Sequence, residues 1–531
     1  MSRAPKPGLK FRLLFGRCLG MLSLVFLACS SNVDAQSDNV VRRPLSLEEC
    51  IGLALEHNLK LQIARASPQI ARYTLKATRG IYDPVFSLTG RKIFLNDPAQ
   101  FDAKKAGIST EYEIDLTSFG PGLSGRLPFG LIYALSSIST YEHASSVFNT
   151  NVFDPNAQIF SVFASGLRTS NAWFNVTGVT LSQPLLKDFW IDIYRRNIQV
   201  NKLGLHISEL AFKRAVMETV ASVETAYYDL LLVRDQVKVQ EKALNVAQQF
   251  LAQIQKQVNA GALADLEARR AESAVETARS ALVGAEGQYT IQKNNLKNLL
   301  TDDLSSWIQL DIEPVDQLTA QNEPGNLQQQ WSNALAKRPD FLIAELAVEQ
   351  EEIDLRYLYN QLFPSLNLFG TYGWYTFNHS FSGHLDDVKH GANAYYSAGM
   401  ILSFPLGNTA ARNYYKRGKV SKKEGELTVT KLRQEILKEV ETTRRTVETA
   451  FTQIASTRRA REYSEAALDA QTKQFQTGNT NSFVVLQFQG YLTDARYAEL
   501  RSVADYNKAK SKLALSEGTT LEKHRINVKV H

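Results

Sequence analysis

The sequence predicts a mainly helical α+β membrane protein. Three copies share a β-barrel, about four strands from each, which a long α-helical barrel continues, and each protomer is built from two structural repeats. Three observations predict it. The chain contains an internal duplication, and each half carries a long helical stretch with a seven-residue apolar repeat. Short segments between the helices alternate apolar with small polar residues.

Composition agrees. Glycine (29) and proline (15) together fall below the roughly 12% of an average protein, which excludes collagen-like, proline-rich and disordered classes. Past the N-terminus no run of 18 apolar residues occurs, so a bundle of membrane helices is excluded. The net charge of +6 belongs mostly to the first 35 residues (Arg3, Lys6, Lys10, Arg12, Arg17 against Asp34), leaving +2. Nucleic acid is therefore excluded as a partner, because no basic excess remains to neutralise phosphates.

Residues 1–35 read as an export signal: Lys10, Arg12 and Arg17 form its positive region, and Leu19 to Ala28 its apolar core. Val33-Asp34-Ala35 fits a cleavage site before Gln36. The competing reading is a lipoprotein box, Phe26-Leu27-Ala28-Cys29, with Cys29 the lipidation site. Phe26 stands where that box usually has leucine, which favours the first. Of the three cysteines, Cys18 leaves with the signal and Cys50 lies among apolar helix residues as a small buried side chain, so no disulfide framework follows.

Repeat 1 is placed at 36–301, an equatorial linker at 302–330, repeat 2 at 331–518 and a tail at 519–531. Ala54-Leu55, Ile63-Ala64, Pro84, Leu88 and Gly90 recur 280 positions later as Ala334-Leu335, Ile343-Ala344, Pro364, Leu368 and Gly370. Gly178, Leu181-Ser182 and Pro184-Leu185 recur 221 positions later, and Gly261 recurs 217 later as Gly478. The fall from 280 to 221 places 59 extra residues between Gly90 and Gly178. The order in each half is helix, strand, loop, strand, very long helix, turn, long helix.

Pro84 and Pro364 end the first helical sections. Strands follow at Phe86 to Thr89, Leu366 to Trp374 and Tyr396 to Phe404, with the period-two alternation of lipid-facing barrel strands, and at Phe174 to Ser182, where the alternation is more blurred. The extra segment, within 91–172, reads as a hairpin. Tyr112, Ile114 and Leu116 precede Pro128-Phe129-Gly130, and Leu131, Tyr133 and Leu135 follow. Because the second half lacks it, the hairpin is expected to project outside the cell rather than extend the barrel.

From about Asp192 to Val258 runs the first long helix, roughly 100 Å at 1.5 Å per residue. Val216, Val223, Leu230, Val237, Leu244, Leu251 and Val258 hold one seam; Val440, Val447, Ile454, Arg461, Leu468 and Phe475 answer in the second half. Gly261 and Gly478 mark the tips of two helical hairpins, and small residues such as Ala268, Ala271 and Ala278 let the returning helix approach closely. Four strands cannot close a barrel, and open edges in lipid cost several kcal/mol per unpaired group, so the chain must oligomerise.

These elements resemble the TolC-like outer-membrane efflux protein family over nearly all of the mature chain. The resemblance rests on Leu45-Ser46-Leu47-Glu48-Glu49 with Ala54-Leu55-Glu56-His57-Asn58, and on the strand exits Leu181-Ser182-Gln183-Pro184-Leu185 and Phe404-Pro405-Leu406-Gly407. The tips Asn259-Ala260-Gly261 and Phe475-Gln476-Thr477-Gly478 complete it. It implies a homotrimeric exit duct in the cell outer membrane, its helical barrel in the periplasm. The tips close like an iris and dock a periplasmic membrane-fusion adaptor joined to a proton-driven or ATP-driven inner-membrane pump. Lipid is the other partner, and no cofactor or catalysis is implied.

The resemblance carries docking to Gly261, Ala262, Leu263 and Ala264, and to Gly478, Asn479 and Thr480. Gate positions are Glu267, Phe475, Val484 and Gln487. Some relatives have acidic residues where Val484 and Gln487 stand, and tyrosine where Phe475 stands, so an acidic ring and a tyrosine latch are not expected; an apolar-to-polar closure is. The loop Thr376 to Asn393 holds His379, His384, Asp386, Asp387 and His390, whose spacing matches no zinc pattern. Lys416-Arg417-Gly418-Lys419 reads as a solvated helix face. A periplasmic adaptor is the alternative, but adaptors carry one hairpin between small β-domains, and here there are two.

Overall fold

The computed structural model describes residues 41–97, 101–102, 107–108, 112–154, 159–321, 325–391 and 393–528. The expected leader at 1–35, with Cys29, lies outside them.

The order is β1 (Val41–Leu45), α1 (Leu47–His57), α2 (Leu59–Arg79), β2 (Val85–Asp97), β3 (Phe101–Asp102), β4 (Gly107–Ile108), β5 (Tyr112–Arg126), β6 (Ile132–Asp154) and β7 (Ile159–Pro184). Then come α3 (Ile193–Asn259), α4 (Asp265–Leu300), α5 (Leu304–Trp307), β8 (Leu310–Pro314), α6 (Leu327–Lys337), α7 (Pro339–Asn360) and β9 (Ser365–Asn378). The chain ends with α8 (Phe381–His390), β10 (Ala394–Ser403), α9 (Thr409–Gln476), α10 (Ser482–Glu517) and α11 (Thr520–Lys523).

Local chemistry sets the helix ends. Ser46 and Glu49 form a reciprocal capping box at α1. Asn58 breaks α1 from α2 by accepting from the Leu61 amide, and its own amide donates to the Leu299 carbonyl at 2.9 Å. At the matching joint of the second repeat Pro339 opens α7, where its missing N–H costs nothing. Asp192 caps the 67-residue α3, accepting from the Arg195 amide at 2.7 Å.

Among the described residues the main sheet has six strands in the order β10-β9-β7-β6-β5-β2, all neighbours antiparallel, where about four were expected. The inserted hairpin β5–β6 lies within this sheet, between β2 and β7; the outer ends of β6 and β7 run on past it as a two-stranded ribbon, and β3 and β4 pair as a separate short ladder between β2 and β5 in the chain. The reason is topological. An antiparallel hairpin can be spliced between two antiparallel strands without reversing either, so the second repeat needs no counterpart. Its turn points to the helical side, where the Gln183 amide donates to the Phe129 carbonyl at 3.4 Å and Arg126 sits 3.8 Å from Asp192 and over the ring of Tyr194.

The core sits around the middle of α3. Cys50, Ile51, Leu61, Val223, Tyr227, Leu230, Leu296, Leu300 and Ile312 pack there with Leu521 of the tail. Burial pushes the Cys50 thiol up to about 12, so it stays protonated, as a small buried side chain should. The segment 302–330 carries α5 and β8, which pairs with β1. Tyr227 donates to the Leu45 carbonyl at 3.0 Å and to Asp316 at 2.8 Å, tying that layer to α3. The tail is fixed through Glu224, fully buried, which accepts from Ser511, from Lys523 at 2.5 Å and from His524 at 2.9 Å.

Candidate functional site at the hairpin tips

Both hairpins end in the same turn. In the first, the Gly261 amide donates to Val258 at 2.9 Å and the Ala262 amide to Gln257 at 2.9 Å. In the second, Gly478 donates to Phe475 at 3.1 Å and Asn479 to Gln474 at 2.9 Å. These are the two bonds of a Schellman stop, which needs a left-handed residue; Gly261 and Gly478 have φ of 73° and 77°. A Cβ on either glycine would meet nothing within 4 Å, so both tips present bare backbone to their surroundings.

The other expected docking residues lie beside these glycines. Ala262, Ala264 and Asn479 are exposed; Leu263 and Thr480 are half-buried. Helix α10 starts from Asn481, whose side chain accepts from the Val484 amide at 3.2 Å, whereas α4 starts at Ala264 without a side-chain cap.

A second apolar core joins the two hairpins just inside the tips. Phe250, Ile254, Ala268, Ala271, Phe475 and Val485 are its buried members, with Leu251, Val258, Leu263 and Leu468 against them. Phe475 is 7% exposed and packs on Phe250 with ring centroids 5.4 Å apart, so it joins hairpins within one protomer. Above it the fully buried Ser482 hydroxyl donates to Glu267, which also accepts from Arg270 at 2.9 Å.

Of the remaining gate positions, Val484 is half-buried and Gln487 is exposed, its amide donating to the Tyr491 hydroxyl at 2.7 Å. The structure thus brings Glu267 and Phe475 into the joint between hairpins and leaves Val484 and Gln487 outside its buried core. Sequence reasoning missed Phe250, Ser482 and Val485. Ser482 stands next to the Asn481 cap, a signal for a helix start but not for a bond to the other hairpin.

At the opposite end, His384 on α8 is buried beside Trp173 and within 2.9 Å of the Ser139 hydroxyl. The loop Thr376 to Asn393 is thus largely a helix laid against the sheet.

A family model described as outer membrane efflux protein matches residues 154–301 and 331–519, more than half of the chain. The cation efflux system protein CusC of Escherichia coli (strain K12) is 28% identical over 149 residues, 28% of this chain and 32% of that protein, so the match spans about a third of the curated relative. The CmeC outer membrane channel of Campylobacter jejuni superposes with a TM-score of 0.61 at 15% identity, covering 89% of this chain and 86% of that one. The open state of the MtrE outer membrane channel of Neisseria gonorrhoeae gives 0.60 at 14% identity, covering 90% and 89%. At these identities the likeness is one of fold.

Proposed function

Because the chain belongs to the outer membrane efflux protein family, we propose that it is the outer-membrane exit duct of a tripartite efflux or type I secretion system. It is a channel component and not an enzyme. Three copies pair the free edges of their sheets to close a barrel in the outer membrane, since an open edge in lipid leaves its N–H and C=O groups unpaired. The four long helices of each protomer continue the tube through the periplasm. The tips Gly261 to Ala264 and Gly478 to Thr480 dock a periplasmic membrane-fusion adaptor, and an inner-membrane pump, proton-driven or ATP-driven, supplies the energy.

The observation that carries this reading is the pairing of opposites in one chain. One end is a sheet with an apolar band on one face and, among the described residues, two unpaired edges; the other is a pair of helical hairpins with matching bare-backbone turns. Val484 and Gln487 form the closure at the rim, and Glu267, Ser482 and Phe475 hold the two hairpins of a protomer in register behind it. A periplasmic adaptor would have no use for a membrane-height sheet.

Fractionation and bilayer recording test the proposal together. The protein is expected in the outer membrane as a detergent-dependent trimer that conducts ions across planar bilayers. A monodisperse monomer without detergent would overturn it.

A further inference from the structure

We propose that the inserted hairpin is part of the membrane wall, so that three protomers close a barrel of about eighteen strands rather than about twelve. This rests on the exit-duct reading and deepens it by setting the width of the outlet.

Side-chain rows carry the argument. Residues opposite one another in a ladder share a face. One row reads Phe86, Leu123, Leu135, Val179, Tyr372 and Tyr396 across all six strands without a polar member. The adjacent row, on the other face, reads Val85, Ser124, Ala134, Thr180, Thr371 and Ser397. At this height the inserted strands thus alternate as the strands of the two repeats do; farther towards α8 the same face turns polar, with Ser137, Ser139, Asn175 and Thr177 hydrogen-bonded to one another, and this marks the upper limit of the apolar band. A hairpin held in water above the membrane would have no reason to match its neighbours row by row.

Height agrees too. All 13 residues of β2 pair with β5, and the first six, Val85 to Gly90, carry no charge; the ion pair of Lys92 and Asp115 at 3.1 Å marks where the wall leaves the hydrocarbon. The ladder from β5 to β6 skips Gly120 and Pro121, where a Cβ on Gly120 would come 2.1 Å from the Ser137 carbonyl oxygen. The register is the same on both sides of this gap, where Pro121 has no N–H to give the ladder, so the strand continues through it. The outermost strands, β2 and β10, run in opposite directions, so β2 of one copy meets β10 of the next as one more antiparallel pair.

The wider barrel also fits its base. Eighteen strands at about 4.8 Å, tilted about 40°, give a backbone circle roughly 36 Å across, against roughly 24 Å for twelve. Twelve helices spaced about 9–10 Å apart give a circle of roughly 36 Å. The duct then keeps its width through the membrane, and the tips alone limit the size of the cargo. The opening suits bulky cargo such as a polypeptide as well as small molecules.

Single-cysteine chains in a Cys50→Ala background test this with a fluorescent thiol label and lipids brominated on their acyl chains. Labels at Val179→Cys and Tyr372→Cys report on the repeat strands; Leu123→Cys, Leu135→Cys, Ser124→Cys and Ser136→Cys report on the insertion. The expected result is quenching at Leu123→Cys and Leu135→Cys to the extent seen at Val179→Cys and Tyr372→Cys, with Ser124→Cys and Ser136→Cys unquenched and open to a water-soluble maleimide. Quenching at the repeat strands alone overturns the wide barrel and leaves the exit duct standing. Quenching nowhere overturns both. Electron microscopy of the trimer gives an independent strand count, with about twelve sinking the proposal.

Discussion

The ring of Phe475, at the end of the second repeat's long helix, packs against Phe250 of the first repeat's at 5.4 Å and an angle of 57°. This pair ties two hairpins that the sequence separates by more than two hundred residues. Phe475→Ala should cost about 3–5 kcal/mol of local packing. Amide exchange in α4 and α10 near the tips should speed up, and cells should become at least tenfold more sensitive to a bulky antibiotic; Phe475→Leu should stay near wild type. An unaltered exchange pattern in Phe475→Ala would count against the joint.

Rim residues should set how tightly the resting tube shuts. Val484→Ala and Gln487→Ala remove side chains there without entering the buried core, where Val485 sits. Single-channel recording is expected to show more frequent opening and a higher conductance, by about twofold in the double variant. Traces indistinguishable from wild type would remove both residues from the gate.

Behind the rim, the Ser482 hydroxyl holds the Glu267 carboxylate. Ser482→Ala strips a hydrogen bond from a charged group that is costly to leave unpaired, a loss of about 1.5–3 kcal/mol. Opening should rise as it does for the rim variants. Glu267→Gln, which still accepts from Ser482, should show less of the effect.

At the turns, the left-handed backbone of Gly478 and the empty space around it separate strain from crowding. Gly478→Asn should be tolerated, while Gly478→Val should destabilise the tip by about 1–2 kcal/mol. Limited proteolysis at Thr477 to Asn481 reports the difference. Equal cleavage of the two variants would show that the turn does not need its glycine.

Glu224 makes the anchoring of the tail depend on pH. Burial pushes its carboxyl up, but hydrogen bonds from His524, Lys523 and Ser511 and the charge of Lys523 more than reverse this, holding it at about 2 against an ordinary 4.5. Folding therefore favours the ionised form. Its contribution is complete above the unfolded value of 4.5 and is lost as pH falls from there towards about 2. Glu224→Gln should unfold a few degrees lower than wild type at pH 7, with the gap narrowing below pH 4. A gap independent of pH would mean that charge at Glu224 is not what holds the tail.

The long helices and their turns were legible in the sequence because each depends on local signals. Asp192 before a heptad run and a glycine after it bound α3 to within a residue. The number of strands was not. β5 contains Gly120, Pro121, Gly122 and Gly125, residues that ordinarily mark a loop, and the ladders on either side are what make it a strand of the sheet. The tip core was half legible: the heptads reach Phe475, but its partner Phe250 lies one place off the Leu251 seam, and contacts between hairpins have no period in either helix. At Val484 and Val485 the phase of α10 is fixed by Asn481 as cap, which decides which valine is buried.

The uninterrupted 67-residue α3 has the proportions of a lever. Its far end lies about 48 Å from Tyr227, so a swing of only about 5° at that fulcrum would carry the end sideways by about 4 Å. The aperture can therefore change by many ångströms while the bonds around the pivot barely stretch. Slight repacking at Leu45, Tyr227 or Asp316 should be amplified into a change of bore.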